Sequence, residues 1–484
     1  MSDIERRALA PGLTVSRVIT GLWQVADMER DGRVIDLDAA ASAMRGYADA
    51  GCTTFDMADH YGSAEDIAGR FREALGAAAA GIQLLTKWVP EPGPVSREAT
   101  KAAVARALSR LRAERVDLLQ FHAWRFSDGA WLDALGHLAD LQREGLVGAI
   151  GVTNFDTAHL RIALASGLPV ISNQLSCSLL DRRAHGRMSA LCAEHGVSLL
   201  AYGTIAGGLL SERWVGAPEP VVLATWSQMK YKRFIDAAGG WAAFQRVLAA
   251  AQGVARRLGV SIANVATRYV LDQPAVAAVI VGARLGASEH VAENVRVFGV
   301  RLDAEARAAL DTALAGLEAI PGDCGDEYRT PPYLTASGDL SHHLSSFAAP
   351  YPVRDGGDGA VRAFSGTTWE TMAGYCRALR IGDRIVVSGT TATRGDRLIG
   401  GDDAAAQAHF VIDKISGAIE SLGGTLADVV RTRVFVADMR DWEAVAQVHG
   451  ERFAGIQPAN TLVQAALVGD AYRVEIEAEA VVRA

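Results

Sequence analysis

The sequence is poor in cysteine, with five residues scattered over 484 positions. An odd and dispersed set does not make a disulfide framework, so we expect reduced thiols and a cytoplasmic location. No apolar run reaches the ~18 residues of a membrane-spanning helix, and the first residues lack the apolar core of a signal peptide. Basic residues are outnumbered by acidic ones, and the formal net charge is -8. We therefore expect neither nucleic acid nor a membrane as a partner.

The rest of the composition is typical of a globular protein, with 50% hydrophobic and 21% charged residues. A chain of 484 residues suggests about three domains at roughly 150 residues each. A β/α barrel alone takes about 250 residues or more, so two domains is the better count.

Residues 15–295 alternate short apolar strands with helical patterns such as Ala39–Ala50, Arg97–Leu111, Ala130–Arg143 and Ala184–Glu194. The predicted strands are Val18–Leu22, Thr53–Asp56, Ile82–Lys87, Asp117–Phe121, Ala149–Val152, Val170–Gln174, Ser198–Ala201 and Ala278–Val281. Eight such units predict a closed (β/α)8 barrel of the α/β class. An open doubly wound sheet would predict a Gly-x-Gly-x-x-Gly after the first strand, and none is there.

Ionisable residues follow three successive predicted strands. Asp56 ends the predicted strand Thr53–Asp56, and Tyr61 lies in the loop beyond it. Lys87 ends the next predicted strand, and His122 directly follows the strand after that. Each has an ordinary explanation alone: a capping carboxylate, an exposed tyrosine, a solvated lysine or a structural histidine. Because the carboxyl ends of barrel strands meet at one rim, we expect the four side chains to share a catalytic site.

Residues from about Val15 to Asn294 resemble the aldo-keto reductase family. The resemblance is carried by Phe55-Asp56 through Tyr61-Gly62-Ser63 and Glu65, by Thr86-Lys87, Phe121-His122 and Gly151–Phe155, and by Ala201–Leu210. It implies a catalytic tetrad of Asp56, Tyr61, Lys87 and His122.

The tetrad has a physical logic for carbonyl reduction. Tyr61 would supply the proton, and a cationic Lys87 would lower the pKa of that phenol toward the working pH. Asp56 would keep Lys87 charged, and His122 would donate a hydrogen bond to the carbonyl oxygen. No side chain supplies a hydride, so a nicotinamide cofactor is needed.

The resemblance also implies the cofactor contacts. Thr153, Asn154 and Gln174 would hold the carboxamide, and the segment from Tyr202 and Gly203 through Leu209 to Ser211 would wrap the pyrophosphate. Gly282, Arg284, His290 and Asn294 would line the adenosine-phosphate segment.

Two positions depart from the family pattern. Cys177 stands where the family usually has a tyrosine stacked on the nicotinamide, and a thiol offers less stacking area. Gly282 and His290 replace the family's usual lysine and arginine. Because Arg284 can still bind a 2′-phosphate, we expect NADP, with NAD possible.

Tryptophans mark the expected substrate side. Trp23, Trp88 and Trp124 each follow a strand end, so we expect an apolar substrate slot, with core packing as the alternative. The long stretch from Gly203 to Trp241 is predicted to be either a binding wall or a packed subdomain that uses its tryptophans as core. It holds Trp214, Trp226 and Trp241 with Lys230 and Lys232.

We place the barrel domain at residues 1–320 and a Pro- and Gly-rich linker, partly ordered against the barrel, at 321–370. Asp323-Cys324-Gly325-Asp326-Glu327 and His342-His343 match no standard ligand spacing, so we expect no metal.

Residues 371–484 are predicted to form a smaller α+β domain. Strands are expected at Arg384–Ser388, Val429–Val436 and Val474–Val482, with a helix at Ala404–Leu422. This part resembles the Rid (reactive intermediate deaminase, YjgF-like) family, with its chorismate-mutase-like fold, through Ile385–Gly389, Arg431–Val436, Pro458-Ala459 and Val474–Ala478. The resemblance implies trimers with ligand sites between subunits. Asn460 stands where the imine-hydrolysing members have an arginine.

The sequence thus predicts an NAD(P)-dependent reductase of a small carbonyl compound, or the reverse oxidation, assembled as a homotrimer by its Rid-like domain. Two alternatives stay open. One is a regulatory protein that binds cofactor without turnover. The other is a bifunctional enzyme whose second domain hydrolyses imines or enamines.

Overall fold

The computed structural model describes residues 4–91, 95–288, 290–330 and 347–483. The chain begins with a hairpin that sequence reasoning missed, formed by β1 (Arg6–Ala10) and β2 (Leu13–Ser16). Leu9, Leu13 and Val15 from this hairpin are buried in a cluster with Leu85 and Leu118 of the barrel strands. The hairpin therefore closes the end of the barrel interior that these strands leave open.

Eight parallel strands follow and close into a barrel, in the order β10-β3-β4-β5-β6-β7-β8-β9. They are β3 (Val18–Gly21), β4 (Thr54–Asp56), β5 (Gln83–Trp88), β6 (Val116–His122), β7 (Val147–Thr153), β8 (Val170–Ser176), β9 (Ser198–Tyr202) and β10 (Val276–Gly282). All eight predicted strands are present, so the predicted barrel is confirmed. The C-terminal end of each strand meets the others at one rim, as the predicted site requires.

Helices surround the strands. They are α1 (Trp23–Met28), α2 (Leu37–Asp49), α3 (Ala64–Leu75), α4 (Arg97–Leu111), α5 (Ala130–Arg143), α6 (Thr157–Ala165), α7 (Arg187–His195), α8 (Trp226–Ala237), α9 (Gly240–Leu258), α10 (Ile262–Leu271), α11 (Val291–Arg296) and α12 (Ala304–Leu314). Ser96 caps α4 through Ala99 N–H, whereas Ser63 precedes α3 without a side-chain capping bond. None of the described helices is long and apolar enough to cross a membrane.

The second unit is an α+β domain, as predicted. Its seven-stranded sheet has the order β11-β12-β13-β14-β19-β17-β18. The elements are β11 (Val353–Asp355), β12 (Ala360–Ala363), α13 (Thr368–Ala373), β13 (Ala378–Ile381), β14 (Arg384–Thr391), the small hairpin β15 (Thr393–Arg394) and β16 (Arg397–Leu398), α14 (Ala404–Ser421), β17 (Val429–Val436), α15 (Trp442–Arg452), β18 (Ala459–Gln464) and β19 (Val474–Val481).

The predicted linker, residues 321–370, contains ordered elements among its described residues. Cys324 and Tyr328 are buried, and β11 and β12 pair antiparallel as strands of the second sheet. Proline and glycine are common in linkers, but they are also common in edge strands and turns. The composition of this stretch therefore does not distinguish a linker from short ordered elements.

The two units pack against each other through α6 of the barrel and α14 of the second domain. Gly417 of α14 lies so close to the backbone carbonyl of Ser127 that a Cβ would collide with it. Arg161 Nε donates to Asp403 Oδ2 at 2.6 Å across the same interface. One face of the second sheet is thus covered by α14 and, beyond it, by the barrel.

Candidate active site

The four predicted catalytic residues meet at the rim of the barrel. Lys87 Nζ donates to Asp56 Oδ2 at 2.5 Å and to the Met57 carbonyl at 2.9 Å, and both charged side chains are buried. The same Nζ lies 5.0 Å from the centre of the Tyr61 ring. Asp56, Tyr61, Lys87 and His122 all line one cavity of about 630 Å³.

The Asp56 carboxylate is held from both sides. Its Oδ1 accepts hydrogen bonds from Gln120 Nε2 at 2.9 Å and from Gln174 Nε2 at 2.8 Å, while Oδ2 accepts from Lys87. Burial lowers the pKa of Lys87, against the attraction of Asp56, which raises it. Sequence reasoning missed Gln120, although a polar residue inside an otherwise apolar strand is a usable signal.

The surroundings of His122 favour its neutral imidazole. Burial lowers its pKa well below the usual value, and the nearby Arg329 guanidinium adds to this. Nδ1 lies 3.3 Å from the Thr153 carbonyl, so the tautomer protonated on Nδ1 donates there and leaves Nε2 as an acceptor. Nε2 is buried and has no hydrogen-bond partner among the described residues. A donor role toward a carbonyl oxygen requires the proton on Nε2 instead.

The expected carboxamide contacts come together beside the tetrad. Thr153 Oγ1 donates to the Gln174 carbonyl at 3.1 Å, and Asn154 Oδ1 accepts from the Tyr202 hydroxyl at 2.6 Å. Gln174 Nε2 is engaged by Asp56 and by Gln120 Oε1. Among the described residues, no bond engages Asn154 Nδ2 or Gln174 Oε1. One donor and one acceptor are the pair that a carboxamide complements.

Tyr202, and not Cys177, supplies the aromatic face at this end of the cavity. Cys177 does not line the cavity: it is fully buried, and its Sγ lies 3.6 Å from His185 Nε2. The reason is that Cys177 lies behind the end of β9, where its N–H donates to the Tyr202 carbonyl at 3.0 Å. Cys177 therefore lies outside the cavity lining and Tyr202 lies within it, while the effect on nicotinamide stacking stays a prediction.

The far end of the cavity is glycine-rich and basic. Gly207 and Gly208 have φ of 63° and 87°, and a Cβ on Gly207 would strike the Ser227 backbone, whereas Gly208 faces open space. Gly203, Ser211, Gly282, Arg284 and His290 line this part, as predicted, together with Arg213 and Ser288. Open backbone and guanidinium groups, with an amide donor and an amide acceptor in the same cavity, fit a dinucleotide.

Two predicted cofactor contacts lie elsewhere. Leu209 is fully buried in the barrel core, because the turn that exposes Gly208 directs the next side chain inward. Asn294 lies on α11 and does not line the cavity among the described residues. Glu289, in the same predicted segment, is outside the described residues.

Comparison with known proteins agrees with this geometry. Residues 17–315 match the Aldo/keto reductase family. The chain belongs to the aldo/keto reductase family. Its barrel is therefore an oxidoreductase that uses a nicotinamide cofactor on a small-molecule substrate. Residues 366–482 match a second family, described as Endoribonuclease L-PSP.

Three similar proteins illustrate the two parts. The glycerol dehydrogenase of Gluconobacter oxydans is 24% identical and has a TM-score of 0.53, covering 66% of this chain and 97% of its own. A Mycobacterium tuberculosis member of the YjgF/YER057c/UK114 family is 42% identical over 25% of this chain and 99% of its own, with a TM-score of 0.24. An uncharacterized Streptomyces coelicolor protein is 38% identical over 120 residues, which are 25% of this chain and 90% of that protein.

Aromatic side chains form part of the cavity wall. Trp23 and Trp124 line it, as predicted, and Trp226 of α8 lies 5.9 Å from Trp23 between ring centres. Trp88 does not line it: the strand end directs this ring away, and it packs 5.5 Å from Phe121 in the core.

The stretch from Gly203 to Trp241 serves both of its expected roles. Trp214, Trp226 and Lys230 line the cavity, while Trp241 packs against Trp214 at 5.9 Å and forms part of the core. Lys232 lies outside the cavity lining and pairs with Asp236. The stretch includes α8, so it is a helical wall and not an irregular loop.

Tyr328 is a cavity residue that sequence reasoning missed. It belongs to a 3-10 helix at Asp326–Tyr328, beyond the last barrel helix, and its ring centre lies 5.5 Å from that of His122. Arg329 holds this segment against the rim by donating to the Ala123 and Asn154 carbonyls. No local pattern marks such a residue, because its place depends on a long-range fold-back.

Two further predictions concern metal and imine chemistry. Within the described ranges, no group of three or more His, Cys, Asp or Glu side chains could hold a metal ion, and His342-His343 lie outside those ranges. In the second domain, Asn460 of β18 donates from Nδ2 to Thr432 Oγ1 at 2.9 Å and lies 3.1 Å from His449 Nε2.

Proposed function

We propose that the barrel interconverts a small aldehyde or ketone and its alcohol with NADP(H), using Asp56, Tyr61, Lys87 and His122. The observation that carries the proposal is the buried Lys87–Asp56 pair next to the Tyr61 ring, in a cavity of about 630 Å³ that Gly207, Gly208 and Arg284 also line. A nicotinamide supplies or accepts the hydride when it is bound.

Tyr61 is the proton donor in reduction. The ammonium of Lys87, 5.0 Å from the ring centre, favours the phenolate that remains after the proton leaves. Asp56 holds Lys87 in place and offsets the burial of its charge. Because both Asp56 oxygens are fixed by donors, the ammonium has one position relative to the ring.

His122 orients the substrate oxygen. In the alcohol direction, the substrate hydroxyl donates its one proton to the Tyr61 phenolate, so Nε2 donates to the substrate oxygen in this direction too. In the carbonyl direction, Nε2 carries the proton and the hydrogen bond from Nδ1 to Thr153 is lost. Trp23, Trp124 and Tyr328 favour a substrate with an apolar or aromatic body.

NADP is favoured over NAD by the basic end of the cavity. Arg284 and Arg213 line that end with His290, and a guanidinium can pair bidentately with a 2′-phosphate. Cys177 takes no part, and Tyr202 is the residue proposed to stack on the nicotinamide.

The experiment that tests the proposal is NADPH consumption with a panel of aldehydes and ketones. We expect turnover by the full chain and its loss in Lys87→Met, while NADPH still binds to the variant. A wild-type protein that binds NADPH but turns over no member of the panel would favour the regulatory alternative.

We further propose that the second domain assembles the chain as a trimer. In β19, Val474, Ile476 and Ala478 face the buried side of the sheet beneath α14, and the glutamates between them face the other side. That free face carries exposed Val386 and Val463. The barrel packs on the α14 side, so three sheets can meet through their free faces with the barrels outside.

Solution mass tests the trimer. We expect three times the 51.2 kDa of one chain, and a smaller species for Val386→Glu on the free face. Val221→Glu, at an exposed position of the barrel, is the matched control and should stay trimeric. A monomeric wild type would contradict the proposed trimer.

Imine hydrolysis by the second domain is not favoured, because the Asn460 amide is neutral and already hydrogen-bonded.

A further inference from the structure

A second cavity lies between the two domains. Its volume is about 370 Å³, and its walls come from both units: Asp128 and Asp133 from the barrel, and Tyr351, Phe410 and Lys414 among those of the second domain. It shares no lining residue with the active-site cavity, and it lies on the α14 side of the second sheet.

Lys414 of α14 presents a buried amine to this cavity. Its Nζ donates to the Thr391 carbonyl at 2.9 Å and to the Thr393 carbonyl at 2.8 Å, and the residue is 7% exposed. A neutral amine has two N–H groups, and these two carbonyls accept both of them. The nitrogen lone pair then points away from the carbonyls, which leaves it for a molecule in the cavity.

The surroundings of Lys414 favour the neutral amine. Burial lowers the pKa of Lys414 to about 7, the Arg377 and Arg394 guanidiniums add to the effect, and Glu370 opposes it. Three carboxylates line the cavity, Asp128, Asp133 and Asp396. Asp133 is already paired with Arg394 and Arg397, and Asp128 with Arg125. A large share of the amine is therefore unprotonated near neutral pH, unlike an exposed lysine.

We propose that Lys414 is a covalent capture site for small aldehydes, which it binds as an imine in the cavity between the domains. The Nζ lone pair attacks the carbonyl carbon and forms the C–N bond, and the carbonyl oxygen takes up the proton released from nitrogen, giving a carbinolamine. The hydroxyl then leaves as water together with the remaining proton of nitrogen, and the nitrogen lone pair forms the C=N bond. No oxidant or reductant is needed, and the proposal is independent of the reaction in the barrel.

Selective trapping tests this site on the full chain. The probe is propanal with cyanoborohydride near pH 7, which converts an imine to a stable propyl-lysine that peptide mass spectrometry locates. The sequence has five lysines, Lys87, Lys101, Lys230, Lys232 and Lys414, so every competitor is identifiable. Lys101 of α4 is exposed and is the internal control.

We expect Lys414 to be labelled about tenfold or more faster than Lys101, because a larger fraction of its amine is neutral. Lys414→Arg keeps N–H donors for both carbonyls but forms no imine, so labelling at this site should vanish. Lys101→Arg should leave it unchanged. Labelling of Lys101 as fast as Lys414, or labelling of Lys414 after denaturation alone, would overturn the proposal. If Lys414→Arg does not fold, the labelling rates of Lys414 and Lys101 in the wild type still test the proposal.

Discussion

His159 of the barrel helix α6 lies 3.0 Å, through Nε2, from Asp413 Oδ2 of the second domain. Its Nδ1 lies 2.6 Å from Asp156 Oδ2, and the ring stacks on Phe126 with 3.5 Å between ring centres. Burial alone would lower its pKa, but the two carboxylates outweigh this and raise the pKa of His159 to about 9. The two domains are therefore joined by a buried cation between two buried anions.

The charge on His159 makes the packing of the two domains sensitive to alkaline pH. A histidine whose folded-state pKa lies above its unfolded value of about 6.5 stabilises the fold below that value. The contribution is lost as the pH rises from about 6.5 through about 9. We expect it to be roughly 3 kcal/mol, since one pKa unit corresponds to about 1.4 kcal/mol.

His159→Gln tests the effect by denaturant unfolding at pH 6.5 and pH 9. The variant should be clearly less stable than wild type at the lower pH and much closer to it at the higher pH. His195→Gln, on an exposed histidine of α7, is the control and should shift neither value. A difference between wild type and His159→Gln that is equal at the two pH values would contradict the role of the charge.

Arg284 should determine the preference for NADPH. Removing a bidentate guanidinium–phosphate pair is expected to weaken NADPH binding about tenfold or more and to leave NADH binding nearly unchanged. Fluorescence titration of both cofactors into wild type and Arg284→Ala measures this. Arg246→Ala, at an exposed position of α9, is the control. Equal NADPH affinity of wild type and Arg284→Ala would reject the assignment.

Tyr202 and Cys177 are distinguished by a matched pair of variants. Tyr202→Ala removes the aromatic face and the hydrogen bond to Asn154, so cofactor binding should weaken about tenfold. Cys177→Ala changes a buried thiol outside the cavity and should leave cofactor affinity unchanged. A larger loss in Cys177→Ala than in Tyr202→Ala would restore the role that the sequence resemblance gave to Cys177.

The strands and the tetrad were predictable because they follow from local patterns. Apolar runs of strand length alternate with helical periods, and Asp56, Lys87 and His122 each stand at or next to a strand end. In a parallel barrel that position alone brings side chains to one rim. The same reasoning holds for the alternation in β19, where burial switches at every residue.

The features that sequence reasoning missed depend on the direction of side chains and on packing between distant parts of the chain. Trp88 and Leu209 have suitable positions along the chain, but their side chains point into the core. Tyr328 reaches the cavity because Arg329 binds carbonyl groups about 200 residues earlier in the chain. The packing of α14 on α6 helps to enclose the Lys414 cavity. No sequence pattern in either domain indicates that these two helices pack together.

The most direct test of the central claim is the turnover number of Tyr61→Phe with saturating NADPH and the best aldehyde of the panel. The variant keeps the ring next to Lys87 and loses the hydroxyl alone, so folding and cofactor affinity should match wild type. We expect turnover to fall by about 10²-fold or more, the range of general acid catalysis. A Tyr61→Phe enzyme that retains more than about half of the wild-type rate would contradict the account.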